Sequence, residues 1–398
     1  MKVTSKIWLV LLGLLMVTLL VAAACGDDDE EVAAPEVLAP FRIGIMESVT
    51  GPGETYGVAG VQAKVMAVDE INAAGGINGR MLEVIVEDSK CNAADGITAY
   101  TKLTQVDGVK IILGPSCSGA MLGVAPLAER DKVIMFSGMT SNPDITLAGD
   151  FIFRTMTSDV FIGEDMGNLL WFDGIRNLAT ISETTDYAEG LRREIARKFK
   201  ELGGQIVGEE RYPSDVTDFR SQITKLIGLN PDAIYVGSQS EFTGGTVIKQ
   251  ARELGYEGPM YTDVTGSGPV AQEIGGDAAT GVKVINRGLD PNNPVANAFL
   301  ANFKERYGYL SVIFEMTSTY DDIHITAECL RQTDDDQDSE GFRDCLYGLT
   351  FTGALGTYSF DEFGDPVGIT NIVLEILPLA QRTDDNLGYK VSVVPAAQ

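Results

Sequence analysis

The chain has 398 residues but a single histidine, His324, and two tryptophans. One histidine excludes a histidine-rich metal site. It also leaves a Ser-His-Asp triad nowhere to sit except around His324. That residue falls in a helix expected over 317–331, where a plain structural role is the favoured reading. Positive charge is scarce as well. Lys and Arg number 30 against 57 Asp and Glu, for a formal charge of −27. A phosphate backbone is held by Lys and Arg, so nucleic acid is not an expected partner. The acidity is read as solubility and surface repulsion, or as the mark of a salty habitat. Cysteines number five, none in CxxC spacing, which argues against zinc and redox chemistry. No cofactor, no metal and no catalytic residue are expected, and the chain is not read as an enzyme. Beyond residue 24 no stretch is long and apolar enough to span a membrane.

What is present begins at the N-terminus. Lys2 and Lys6 precede an uncharged run at 7–24, which ends in small residues before Cys25 and the acidic run 27–31. A basic start, an apolar run and small residues before a cut site mark a secretory signal. The Cys just past the small residues resembles a bacterial lipobox, in which the Cys is lipidated and becomes the new N-terminus. The alternative is a short uncleaved membrane anchor, which would require neither Cys25 nor the small residues. The expectation is a signal peptide at 1–24, then lipidated Cys25 and a flexible acidic tether at 25–40. The domain would then lie outside the cytoplasm, at the outer face of the membrane or in the periplasm. Removing 1–24 moves the formal charge from −27 to −29, because Lys2 and Lys6 go with it.

Taking out Cys25 leaves Cys91, Cys117, Cys329 and Cys345. An even count in an exported protein suggests disulfides. Three pairings are open, and the sequence-local one is Cys91 with Cys117 and Cys329 with Cys345. Neither spacing suits a metal site.

The remaining chain, about 370 residues, is too long for one ordinary core and suggests two lobes. It alternates strand-like and helix-like runs. Strands are expected at 41–47, 82–88, 110–113, 133–137, 178–182, 206–212, 233–237 and 282–286. In the helix at 58–72, Val58, Val61, Val65 and Val68 make one apolar stripe. Leu191, Ile195, Phe199 and Leu202 make another. Several helices end in glycine, as at Gly75, Gly203 and Gly255, which supplies a left-handed closing residue. Strand, helix, glycine, strand is the grammar of a parallel α/β sheet with helices on both faces. In such folds ligands bind beyond the carboxyl ends of the strands.

Three clusters follow strand ends. The loop from Met46 to Gly57 carries glycines and Pro52, but lacks the spacing of a phosphate-binding loop. Gly114, Pro115, Ser116, Cys117, Ser118 and Gly119 follow the third strand, and Ser116 or Ser118 could cap the next helix. A helix start rich in hydroxyls and free N–H groups is also a carboxylate site. Residues 137–143, with Ser137, Gly138, Met139 and Thr140, repeat the idea after the fourth strand.

Gly51, Pro52, Tyr56 and Gly57, then the run from Asp69 to Gly79, resemble the opening of the branched-chain amino-acid binding proteins. These are type I periplasmic binding proteins that serve ABC importers. The similarity continues through Cys91, residues 114–118, 153–155, 186–190 and 251–255, and ends at 360–365. It thus covers essentially all of residues 41–380. The resemblance implies two doubly wound parallel-sheet lobes joined by a three-strand hinge. Crossings would fall near 155–159, 287–290 and 355–359. Lobe one would hold 41–156 and 288–356, and lobe two 157–287 and 357–398.

The resemblance also implies roles. Ser118 and Thr140 would bind a ligand carboxylate, and a carbonyl near Gly138 would take an ammonium proton. Asp263, standing where the family usually has glutamate, would pair with the ammonium. Tyr56 and Tyr187 would close over the ligand from opposite lobes. The family often has an aromatic near Gln239. Its absence leaves room or polarity on the side-chain wall, which Gln239 and Met139 help to form. The expected function is that of a monomeric, lipid-anchored receptor delivering an amino acid to the membrane subunits of an ABC permease. Amides, urea or small carboxylates are the alternative ligands, and a ligand-sensing ectodomain is the alternative role.

Overall fold

The computed structural model describes residues 38–383 and 386–395. The signal segment, Cys25 and most of the tether lie outside these residues.

The first sheet is built from β1 (Phe41–Glu47), α1 (Glu54–Ala73), β2 (Leu82–Asp88), α2 (Ala93–Thr101), β3 (Ile111–Leu113), α3 (Ser118–Asp131), β4 (Ile134–Ser137) and β5 (Ile152–Arg154). Its five strands run in the order β2-β1-β3-β4-β5, all parallel. The chain then enters α4 (Asp159–Phe172) and builds a second sheet. That sheet is formed by β6 (Asn177–Glu183), α5 (Asp186–Glu201), β7 (Gln205–Tyr212), α6 (Arg220–Ile227), β8 (Ala233–Gly237), α7 (Glu241–Glu253), β9 (Met260–Thr262), α8 (Pro269–Gly275) and β10 (Lys283–Arg287). Its parallel part has the order β7-β6-β8-β9-β10, the same winding pattern as the first sheet.

The chain returns to the first core through α9 (Pro294–Tyr307), α10 (Ile313–Thr333) and α11 (Ser339–Gly348). A small antiparallel sheet follows, made of β11 (Thr350–Gly353), β12 (Gly356–Phe360) and β13 (Pro366–Val367). Finally β14 (Asn371–Ile376) and β15 (Tyr389–Val393) add two antiparallel strands to the second sheet beside β10. The second sheet is therefore mixed at one edge, where a purely parallel sheet was expected.

Both sheets are covered on two faces, as the sequence alternation requires. Along β8, Ala233 and Tyr235 pack with α4 and α5, while Ile234 and Val236 pack with α6 and α7. In β1 and β3, Phe41, Ile43, Ile111 and Leu113 pack on one face of the first sheet, and Met46 and Ile112 on the other.

Helix α1 departs from the valine stripe. Its deepest residues are Ala59, Ala63, Met66 and Ala67, while Val58, Val61 and Val65 are half-buried. The reason is close approach. A Cβ on Gly57 would stand 2.1 Å from the Ser48 carbonyl oxygen. Small residues, rather than branched ones, let the helix reach the loop after β1. In α5 the expected stripe holds, with Leu191, Ile195 and Phe199 buried and Gly203 at φ 96° just past the helix.

The chain passes between the two sheets at 155–158, 288–293 and 368–370. The third passage corrects the expectation of 355–359. Residues 356–360 form β12, where Phe360 packs edge-on against Tyr358 and against Phe136 and Phe153 of the first core. A lobe boundary at 357 would cut through that aromatic cluster.

Cys91 is bonded to Cys117 and Cys329 to Cys345, with Cα atoms 5.1 and 5.7 Å apart. This is the sequence-local pairing. His324 packs on Tyr320 at 4.5 Å between ring centres, and burial lowers its pKa to about 4, so it stays neutral.

Candidate functional site

In a 2-1-3-4-5 sheet the loops after strands 1 and 3 diverge, and a crevice opens at their carboxyl ends. Here the two sheets turn those ends toward one cavity of about 30 Å³. Tyr56 comes from the first turn of α1, Ser116 and Cys117 from the β3 loop, Ser118 from the start of α3, Met139 and Ser141 from the β4 loop, and Met156 from the passage after β5. From the second sheet come Tyr187, Gln239, Val264 and Thr265, with Arg287 at the last residue of β10. Glu315, in the first turn of α10, completes the wall.

The two sides already touch. Asn142 Nδ2 donates to the Asp186 carbonyl at 2.6 Å. Added Cβ atoms would strike across the cleft at Gly119, 2.6 Å from Asp186 Oδ2, and at Gly190, 2.5 Å from Asn142 Nδ2.

One end of the cavity is built for an anion. The cap residue of α3 is Cys117, which offers no side-chain hydrogen bond, so the first amides of the helix are left for another acceptor. Neither Ser116 nor Ser118 caps the helix, contrary to the sequence reading. Ser116 Oγ accepts from Ser48 N at 3.2 Å, and Ser118 Oγ accepts from Asn142 N at 3.3 Å. Both hydroxyls keep a proton to donate into the cavity.

The lining also carries one buried acid. Glu315 is 4% exposed and faces the cavity. Burial raises its pKa, and Arg287 pulls it back. Arg287 itself is bound elsewhere. Its Nη2 donates to Asp159 Oδ1 at 3.0 Å and to the Thr157 carbonyl at 2.7 Å, and its Nε donates to Thr157 Oγ1 at 3.0 Å. Ser141 Oγ donates to the other Asp159 oxygen at 2.9 Å, so Asp159 ties the first passage between the lobes to the second.

Of the residues read from the sequence, Tyr56, Ser118, Met139, Tyr187 and Gln239 line the cavity. Gly138, Thr140 and Asp263 do not. Gly138 is pressed against α10, where a Cβ would lie 2.8 Å from Asp322 Oδ2. The Thr140 backbone N–H donates to Ser137 Oγ at 3.1 Å, and its buried hydroxyl has no partner among the described residues. The Asp263 carboxylate accepts from Ser238 N at 2.6 Å and Gly266 N at 2.7 Å, behind Val264 and Thr265. Burial raises it to about 7. Arg287 and Glu315 were not read from the sequence. Arg287 carried a signal, since it directly follows an expected strand. Glu315 carried none, because a helix added late in the chain brings it to the cleft.

Residues 40–370 match the periplasmic binding protein family. The chain belongs to that family. Within it, the chain falls with the branched-chain amino-acid binding, type I periplasmic binding proteins. The leucine-, isoleucine-, valine-, threonine- and alanine-binding protein of Pseudomonas aeruginosa is 27% identical over 86% of this chain and 91% of its own length. The Leu/Ile/Val-binding protein homolog 1 of Brucella abortus is 29% identical over 81% of this chain and 87% of its own. Among solved structures, the leucine-binding protein LivK of Thermotoga maritima superposes with a TM-score of 0.78 at 25% identity, covering 88% of this chain and 97% of its own. LivJ of Streptococcus pneumoniae, in complex with isoleucine, gives 0.76 at 26%, covering 85% and 96%. The family consists of solute-binding proteins of ABC transporters and not of enzymes. It is extracytoplasmic, and a small-molecule ligand and association with an ABC transporter are its expected partners. Among the described residues no helix is long and apolar enough to cross a membrane.

Proposed function

We propose that this protein is the lipid-anchored receptor of an ABC importer, binding an α-amino acid between its lobes and delivering it to a membrane permease. The observation that carries the reading is the polarity of the cavity. The uncapped start of α3 and the Ser116 and Ser118 hydroxyls meet a ligand carboxylate, and the buried Glu315 meets its ammonium. A zwitterion needs both ends satisfied, because an unpaired buried charge is costly. Tyr56 and Tyr187 cover it from opposite lobes. Closure follows from contacts the ligand makes with both lobes only when they are together. The names of the relatives, which bind leucine, isoleucine and other small amino acids, support the same class.

Cys25 supplies the anchor in this reading, and residues 26–40 the leash that holds the receptor near its permease. Cys25→Ser releases the protein from the membrane and leaves the ligand affinity of the purified domain unchanged.

Calorimetry against the twenty amino acids, amides and urea tests the ligand class. Saturable binding of at least one amino acid, weakened at least tenfold by Ser118→Ala, is the expected result. A response to amides or urea alone overturns the amino-acid reading.

A further inference from the structure

The loop after β2 lends no residue to the cavity wall, yet it is bonded to a loop that does. The join is the Cys91–Cys117 disulfide. Cys117 is the cap residue of α3 and lines the cavity between Ser116 and Ser118. Cys91 stands at φ 61°, directly after Lys90 at φ 45°. Two successive left-handed residues other than glycine are costly, and persist only where the surrounding structure holds them. Asp88 adds to the hold. Its Oδ1 accepts from Val49 N at 3.1 Å and its Oδ2 from Thr50 Oγ1 at 2.6 Å, so the end of β2 is clasped to the β1 loop.

The sulfurs also support the start of α1. Gly53 stands just before that helix, and a Cβ on it would lie 2.7 Å from Cys117 Sγ and 3.1 Å from Cys91 Sγ. Its φ of −95° is open to other residues, so this glycine serves close approach and not an unusual backbone. The Gly53 carbonyl accepts from Tyr56 N at 3.1 Å and from Gly57 N at 2.9 Å, so the turn that presents Tyr56 to the cavity hangs on it. Ser48 completes the cluster. Its N–H donates to Ser116 Oγ at 3.2 Å, and its Oγ lies 3.3 Å from Cys117 Sγ and 3.0 Å from Ser89 Oγ. Ser48, Ser89 and Cys117 are all buried. The second disulfide has no such place. Cys329–Cys345 joins α10 to α11, and neither residue lines the cavity.

We propose that the Cys91–Cys117 disulfide is a positioning element for ligand binding. Its sulfurs set the spacing between the turn at Ser116–Ser118, which meets the ligand's anionic end, and the first turn of α1, which brings Tyr56 over the ligand. This rests on the reading of the cavity above and goes beyond it, by placing part of the affinity in a bond behind the wall.

The test measures affinity and stability together, with the tightest binder among the twenty amino acids, amides and urea as the ligand. Cys91→Ala/Cys117→Ala is expected to bind it about tenfold more weakly, as if one good hydrogen bond were lost. Cys329→Ala/Cys345→Ala is expected to bind as wild type does. The two cross-links span 26 and 16 residues, so both variants should lose a similar amount of thermal stability. Gly53→Ala keeps the disulfide and presses a methyl group on its sulfurs. It should weaken binding about threefold or more alone, and less in the Cys91→Ala/Cys117→Ala background, where those sulfurs are gone. Hydrogen exchange of the unliganded protein should quicken at 53–57 and 116–121 in Cys91→Ala/Cys117→Ala, and not across the rest of the first sheet. Equal affinity losses in the two cysteine variants overturn the inference and leave the ligand reading standing. So does a Gly53→Ala effect that is the same with and without the disulfide. Should Cys91→Ala/Cys117→Ala not fold, Gly53→Ala decides alone, and unchanged affinity overturns the inference. Should no compound bind, the ligand reading fails, and the exchange pattern decides the inference, with a uniform change across the first sheet overturning it.

Discussion

Asn142 and Asp186 join the two lobes across the mouth of the cleft, through a hydrogen bond of 2.6 Å from the Asn142 side chain to the Asp186 carbonyl. The surface pair Arg193 and Asp144 spans the same gap, but both side chains are half-exposed and such pairs contribute little. The bond at Asn142 is therefore the polar contact that favours the closed form. Asn142→Ala should weaken ligand binding about three- to tenfold, in line with the roughly 0.5–1.5 kcal/mol of one hydrogen bond. Gly190→Val should do more, because its side chain lands on Asn142 and holds the lobes apart. Calorimetry gives the affinities, and small-angle scattering reports whether the Gly190 variant stays open with ligand present.

Much of this architecture was legible beforehand, and the exceptions have physical causes. The parallel strands announced themselves as Ile- and Val-rich runs, since burial on both faces demands it. The antiparallel edge did not, because β15 is mostly exposed and reads as polar surface. The cleft residues just past strand ends, Gln239 on a loop and Tyr56, Ser118 and Tyr187 in the first turn of the following helix, were readable by position after a strand. Glu315 was not, since its place depends on tertiary packing of α10 against α1. Asp263 was assigned by its position after β9, and the backbone N–H groups around it turned its carboxylate away from the cavity.

That geometry gives Asp263 a test of its own. If it holds the loops that present Gln239 and Val264, Asp263→Asn should lose about tenfold in affinity, since an amide still accepts one of the two N–H bonds. If it paired with the ligand's ammonium, the neutral amide would lose far more. Affinity of Asp263→Asn against Asp263→Ala separates the two, with partial rescue by Asn expected.

The buried pair of Arg154 and Asp365 holds the small sheet to β5. Arg154 Nε reaches Asp365 Oδ1 at 2.5 Å and Nη2 reaches Oδ2 at 2.7 Å, with the arginine side chain fully buried. Replacing Asp365 by Ala strands that cation, and chemical denaturation should show a loss of about 3–5 kcal/mol. The Asp361–Gly364 turn, which feeds Asp365 into place, should loosen with it.

Acid should stabilise the lobe-one core. Asp322 is fully buried and raised to about 7, chiefly by burial, with Lys64 opposing the shift and Glu47 and Asp321 adding to it. Its hydrogen bond from Thr155 reaches the first passage between lobes. A carboxyl whose folded pKa lies above its unfolded value contributes stability at low pH. That contribution is lost as pH rises from about 4 to about 7. His324, held neutral, works in the opposite direction below its unfolded pKa of about 6.5. The difference between wild type and Asp322→Asn isolates the Asp322 part. Thermal denaturation should show a smaller fall in Tm between pH 5 and pH 8 for the variant.

The passage at 368–370 has a consequence for how the chain comes together in time. Strand β14 pairs with β10, so Lys283 waits for Glu375, and the first core waits for Phe360. Contacts this distant in sequence form slowly, because loop closure precedes any reward. Neither lobe is finished until the C-terminal strands are delivered, so the two halves mature together rather than one after the other. A truncation before Thr350 should leave both open to proteolysis, however complete the earlier strands are.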